Sequence, residues 1–357
     1  MTSNKSSGSP LLIISHFPPP VHGFAVISSA IAEHVSQWRP VTKVNLARPS
    51  RITAWKHLRQ MSRAIAVSAS LLPRRINGAQ EISLGVNGGL GLLYNILLLA
   101  VARGLGYRTV LHHHTYGYIT RHSRLMAVLC ALGGAKLEHV FLAHSMARQF
   151  QARYGNTKVA HVLENALFVP PTPALDRAPG PLRIGLLSNL SREKGLYDFL
   201  ATATLLREAG LDAEMYLAGP AGAEDLGAIN AAVADGLVHW SGPLYGAEKD
   251  AFFAKIDLFL FPTRYVFEAQ PTVIYEAMAA GAPVIAFDRG AIKEQVQDCL
   301  AVVDQADDFA RRALDIIAPL SRDGAPALPE KARALHAETS QKAALSLRQI
   351  YGGPSPL

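Results

Sequence analysis

Glu268 and Glu276 are the residues whose type and spacing most invite a chemical reading. They lie in PTRYVFEAQPTVIYEAMAAGAPVIAFDRG, residues 262–290. Pro271 has the fixed φ of a first helical turn. Gly281 and Pro283 would stop the helix that follows. Glu268 then sits in the loop ahead of the helix, and Glu276 in its second turn. After Gln270, the free amides over Pro271, Thr272 and Val273 would point out of the helix start. A phosphate there gains both hydrogen bonds and the helix dipole. Two carboxylates flanking an anion site can hold sugar hydroxyls through charge-assisted hydrogen bonds.

Three other clusters carry chemistry. In LLSNLSREKG, residues 186–195, a strand gives way to a loop with Arg192 and Lys194, and Gly195 opens a helix. A lysine reaching from such a loop suits a diphosphate. In SHFPPPVHGFAVISSA, residues 15–30, Gly23 starts a helix after the first strand, where the missing Cβ lets a ligand approach the backbone. In LHHHTYGY, residues 111–118, three histidines stand together at a strand end. Strand neighbours face opposite ways, so only His112 and His114 share a face. With no carboxylate or cysteine beside them, no metal is expected.

Strands and helices alternate along the chain, as in a parallel α/β sheet. Strands are expected at Leu11–Ser15, Val41–Leu46, Thr109–His112 and Val140–Ala143, and helices at about 25–35 and 121–132. Residues 166–182 hold five prolines and read as a linker. A second series follows: strands near 182–188, 213–218, 258–261 and 284–286, with helices at 196–209, 249–255, 271–280 and 329–350. The expected organisation is a basic Rossmann-like domain over 1–166, a linker over 167–181, an acidic Rossmann-like domain over 182–328, and a helical tail over 329–357. The tail would pack back on the first domain. Ligands in such sheets bind beyond the carboxyl ends of the strands.

Composition narrows the classes further. The chain has 357 residues, 49% hydrophobic and 18% charged, which fits neither disorder nor a coiled coil. Its two cysteines, Cys130 and Cys299, form no CxxC or Cys/His group, so a disulfide scaffold and a structural zinc are not expected. No charge occurs from Ile82 to Ala102, yet Asn87, Asn95 and glycines interrupt this stretch, which reads as a buried strand and helix rather than a membrane span.

The charge is lopsided. Residues 1–165 hold 18 Lys and Arg against four Glu, a net +14, and the remainder carries −7. On a helix over about 52–72, Lys56, Arg59 and Arg63 share one face and Leu58, Met61 and Ile65 another, with Trp55 nearby. A basic amphipathic helix suits an anionic membrane surface. A cytoplasmic protein lying peripherally on the inner face of the membrane is the expectation, with no nucleic-acid partner.

The string EAQPTVIYEAMAAGAPVIA resembles the signature of glycosyltransferases of the two-Rossmann GT-B fold, in particular family four, also called group 1. The resemblance implies that Glu276 holds the nucleotide ribose and Glu268 contacts the donor sugar. LSREKG is similar to the segment whose lysine and arginine clamp the donor phosphates. Lys194 matches the lysine, but Ser188-Asn189 stands where the family has Gly-Arg, leaving Arg192 or Arg264 to substitute. The Pro-Pro-Pro-x-His-Gly run resembles the loop that approaches donor phosphates and acceptor. The family also carries a histidine near the reacting carbon, matched first by His114 and second by His112. YLAGP with Gly219, WSGPL, KIDLFLFPT and Asn165 are further matches. The implied activity is metal-independent transfer of a sugar, with retention, from a nucleotide-sugar co-substrate to a glycan or lipid-linked acceptor in cell-surface polysaccharide synthesis. A sugar-nucleotide epimerase on the same fold and a catalytically silent sugar-nucleotide-binding subunit are the alternatives.

Overall fold

The computed structural model describes residues 9–19, 23–47, 53–155, 159–173, 180–323 and 327–354, with backbone alone at 53–57 and 321–323. The chain divides into two compact units: residues 1–168 with 342–357, and residues 169–341. Each unit holds a six-stranded parallel sheet.

The first sheet contains β1 (Leu11–Ser15), β2 (Val41–Asn45), β3 (Glu81–Val86), β4 (Arg108–His113), β5 (Glu138–Phe141) and β6 (Val159–Val162), in the order β2-β1-β3-β4-β5-β6. The second contains β7 (Leu182–Leu187), β8 (Ala213–Ala218), β9 (His239–Trp240), β10 (Leu258–Phe261), β11 (Val284–Phe287) and β12 (Ala301–Val303), in the order β12-β11-β10-β7-β8-β9. β1, β10 and β11 are apolar runs buried throughout, as strands covered on both faces must be. In each sheet the strand order reverses once, between β1 and β3 and between β7 and β10. Such switch points open a crevice at the carboxyl ends of the strands.

In the first unit, the core joins Leu11 and Ile13 of β1, Ile27, Ile31 and Val35 of the helix Gly23–Val35, and Ala343, Leu347, Ile350 and Tyr351 of the helix Ala327–Tyr351. The spacing of the last four is helical, one stripe facing inward. The amino ends of the strands carry a polar network. Arg108 grips Glu138 through Nε and Nη2 at 2.6 Å each, reaches Glu81 at 3.1 Å, and donates to the Ile350 carbonyl at 3.0 Å.

Boundaries shift where caps and breaks decide them. The helix expected over 121–132 runs over Arg124–Gly133, preceded by a separate turn of helix at Gly117–Thr120. Arg121 is extended, and Ser123 caps the Arg124–Gly133 helix by accepting from the Met126 amide at 3.3 Å. Among the described residues no helix is long and apolar enough to cross a membrane. The uncharged stretch becomes β3 and the helix Leu92–Gly104. Asn95 is buried there, donating to the Gly85 carbonyl and accepting from the Asn87 amide.

Candidate active site

Lys194 and Glu268 follow β7 and β10, the two strands at the reversal of order in the second sheet. Lys194 Nζ donates to Glu268 Oε2 at 2.6 Å, Thr263 Oγ1 bonds the same oxygen at 3.3 Å, and Nζ lies 4.4 Å from the centre of the Tyr265 ring. Two glycines make this approach possible. Gly195 has φ +84°, and a Cβ there would lie 2.1 Å from the Pro262 carbonyl oxygen. Gly290 has φ +59°, and its Cβ would lie 2.1 Å from the carbonyl oxygen of Glu268. Only glycine fits a left-handed position pressed against backbone. The Arg264 amide also donates to the Glu193 carbonyl at 2.8 Å, tying the two loops together.

The helix after Glu268 runs over Thr272–Ala279, one residue later than expected, with Pro271 at its N-cap. Proline has no N–H, so the expectation of three amides over 271–273 is corrected to two, those of Thr272 and Val273, which have no intrahelical acceptor. The Pro271 carbonyl accepts from Gln295 Nε2 at 2.9 Å, which steadies the helix start. Gln270 is buried. Glu276 sits in the second turn. Lys249 Nζ, from the helix Ala247–Lys255, donates to its Oε1 at 2.7 Å, and its Oε2 is buried without a partner among the described residues.

The expected substitutes for the arginine absent at Asn189 are otherwise engaged. Arg264 forms a bidentate pair with Asp198, at 2.9 and 2.7 Å, and lies over the Phe287 ring. Arg192 lies 4.2 Å from the centre of the Tyr197 ring. A cation that sequence reasoning passed over, Arg289 beside Gly290, has its Nε buried without a partner among the described residues, and burial lowers its pKa.

In the first unit, Gly23 opens its helix, and a Cβ there would meet nothing within 4 Å, so packing does not demand the glycine. Residues 20–22 of the proline run lie outside the described residues. His114 follows β4, its ring 4.5 Å from that of Phe24, the residue after Gly23. The structure thus joins the glycine and histidine clusters at the carboxyl ends of β1 and β4. His114 Nε2 is buried without a partner among the described residues, and burial pulls its pKa down to about 3. His112 shares its face, ring stacked on ring at 6.0 Å, but points into the core at 4% exposure. Its Nε2 bonds the Tyr351 hydroxyl, which also bonds Ser83 Oγ at 2.7 Å. His113 bonds Tyr118 and His139 on the opposite face. Among the described residues no group of His, Cys, Asp and Glu could hold a metal ion.

The helix expected over 52–72 spans Thr53–Ile76. Ala64, Val67 and Leu71 are its buried face. Leu58 and Ile65 are 62% and 55% exposed, and Leu72 and Ile76 continue the same exposed stripe. Arg59 is exposed. Arg63 donates to the Asn45 carbonyl at 3.2 Å. The Lys56 and Trp55 side chains lie outside the described residues.

Residues 181–318 match the family model described as glycosyl transferases group 1. No curated protein matches the chain. Among solved structures, HepE of Anabaena in complex with UDP aligns at TM-score 0.68 and 16% identity, over 97% of this chain and 98% of that one. Sucrose-phosphate synthase of Thermosynechococcus elongatus aligns at TM-score 0.71 and 15% identity, again over 97% and 98%. WaaG, a glycosyltransferase involved in lipopolysaccharide biosynthesis, aligns at TM-score 0.61 and 14% identity, over 96% and 100%. Residues 181–318 are thus similar to the glycosyl transferases group 1 family, and the chain has the two-sheet GT-B fold of these solved structures.

Proposed function

We propose that the protein transfers a sugar from a nucleotide-sugar donor to an acceptor hydroxyl, with retention, in cell-surface glycan or lipid-linked polysaccharide synthesis. The observation that carries this reading is the meeting of Lys194 and Glu268 at the β7/β10 switch point, ahead of a helix start whose second turn bears Glu276. UDP bound to HepE, a structure of the same fold, supports a nucleoside-diphosphate donor.

In this scheme Lys194 and the Thr272 and Val273 amides stabilise charge as it develops on the leaving diphosphate, an electrostatic contribution that needs no covalent nucleophile. Glu276 takes the ribose and Glu268 the donor sugar. Gly23 gives a phosphate or the acceptor access to backbone. His114, kept neutral by burial, offers a ring nitrogen to the sugar. The departure at Asn189 favours a silent sugar-nucleotide-binding subunit as the second reading, and turnover of donor separates the two.

A thermal-shift panel of UDP-, GDP- and ADP-sugars is the first test. A ligand at about 100 times its Kd adds ~2.7 kcal/mol of stability. Two variants then test the assigned roles. Glu276→Ala should weaken binding of the free nucleoside diphosphate, whereas Glu268→Ala should lower turnover and leave that affinity nearly intact. Calorimetric titration with the diphosphate alone reads the split, and equal losses would refute it.

The proposal extends to an anionic membrane surface, met through the helix Thr53–Ile76. Its exposed stripe of Leu58, Ile65, Leu72 and Ile76, on a region of net charge +14, supports peripheral docking beside a lipid-linked acceptor.

A further inference from the structure

We propose that Lys249 positions Glu276 and thereby sets a preference for ribonucleotides over deoxyribonucleotides. The inference rests on the reading of Glu276 as the ribose ligand.

The pair itself is plain: Lys249 Nζ donates to Glu276 Oε1 at 2.7 Å, with the two side chains 30% and 17% exposed. A partly buried ion pair is weak evidence for stability on its own, because desolvation offsets the attraction. Two observations give it another use. Glu276 Oε2 is buried and has no partner among the described residues. A buried acceptor left unmet is costly, so it points to a donor other than the described residues, such as a bound ligand. Both ends of the pair are also anchored. Phe252 and Phe253, three and four residues after Lys249 and so on its face of the helix, are buried. Tyr275 and Ala277, which flank Glu276, are fully buried.

The last torsion of a glutamate is broad. Alone, Glu276 would sweep its two oxygens over a range of directions. With Oε1 held by a lysine on a fixed helix, Oε2 keeps one direction, and an arriving hydroxyl meets an acceptor that is already ordered. Ordering before binding is where such an arrangement gains affinity. A ribose presents two adjacent hydroxyl donors, and a deoxyribose lacks one. The gain therefore appears as discrimination between sugars, a quantity that loss of folded protein does not change.

The test is calorimetric titration of the full chain with UDP, GDP and ADP, then with the 2′-deoxy and 3′-deoxy forms of whichever binds tightest. Wild type should reject one deoxy form by about tenfold, the scale of one charge-assisted hydrogen bond. Glu276→Ala should bring that ratio near one. Lys249→Met, which keeps an unbranched stem and removes the donor, should bring it to within about threefold of one, and Lys249→Arg, which restores a donor, should recover most of it. If Glu276→Ala keeps the wild-type ratio, or no diphosphate binds wild type, the ribose reading falls and the inference with it. If Glu276→Ala loses the ratio while Lys249→Met retains it, the ribose reading stands and the role of Lys249 is overturned.

Discussion

Lys194 Nζ has three N–H donors and gives one to Glu268, so two remain for a diphosphate. Charge on the leaving group grows toward the transition state, and a point charge beside it should count for more there than in the ground state. Lys194→Ala should lower kcat/KM by about 10²–10³, the range seen when one donor to a developing anion is removed, and by more than it weakens donor binding. Steady-state kinetics set beside titration of the diphosphate check this, and wild-type turnover would make the lysine a surface residue. At this scale the sequence was legible where a constellation is contiguous. Glu268, Gln270 and Glu276 sit within one loop and helix, and Lys194 within one turn, so spacing alone set their places. Lys249 was not legible as a partner, because 27 positions separate it from Glu276 and only the packing of two helices brings them together. The partner of Arg264 was not legible for the same reason: its position suggested a phosphate, and the carboxylate it meets, Asp198, lies 66 positions away.

Among the elements, the turns that press Lys194 and Glu268 together depend on Gly195 and Gly290. Gly290→Ala would add left-handed strain and a Cβ driven against the Glu268 carbonyl. A cost on the order of 2–4 kcal/mol is expected, together with a loss of turnover, because relief must move the backbone of Glu268. Thermal melting beside kinetics reads both, and a variant of wild-type stability and activity would show that the contact is unimportant. The helix Thr53–Ile76 shows how amphipathic spacing can be read and still leave the facing open. The sequence set Leu58 and Ile65 on one side, and an ordinary Rossmann helix would bury that side. The structure buries Ala64, Val67 and Leu71 instead and leaves Leu58 and Ile65 to solvent. Binding to anionic vesicles should fall with salt, each basic residue near the surface being worth about 1 kcal/mol. It should drop when Lys56, Arg59 and Arg63 become Gln, and again when Leu58 and Ile65 become Ser. Sedimentation that ignores lipid charge, or is unchanged in both variants, would contradict docking through this helix. Strand existence was legible from apolar runs such as LLIIS and LFLF. The two-residue β9 and three-residue β12 were not, since so short a stretch has no period to read.

For the whole chain, the two units should respond differently to acid, because their histidines are placed differently. His112, His113, His114 and His139 all lie in the first unit, and burial lowers the pKa of each, to about 3 for His114 and about 4 for His139. The second unit has two histidines, His239, which is exposed, and His336, which is buried, against these four buried in the first. A group whose folded pKa is depressed contributes its full stability above the unfolded value, near 6.5 for histidine, and loses it as pH falls toward the folded value. Below about 6.5 the unfolded first unit therefore takes up protons that the folded one refuses. Each such histidine contributes a slope of about 1.4 kcal/mol per pH unit. Glu138 acts lower down. Burial would raise its pKa, but hydrogen bonds from His161 and Arg108 outweigh that and hold it at about 2, so its contribution is lost below about 4.5. The first unit should therefore open ahead of the second between pH 6.5 and 4. Amide hydrogen exchange on the full chain, corrected for the intrinsic rate at each pH, should show β3, β4 and β5 losing protection before β7, β10 and β11. His114→Phe keeps a ring against Phe24 and removes a buried nitrogen that has no partner among the described residues, so it should flatten the stability slope by about one proton. Earlier opening of the second unit, or an unchanged slope in His114→Phe, would show that the buried histidines do not govern acid stability.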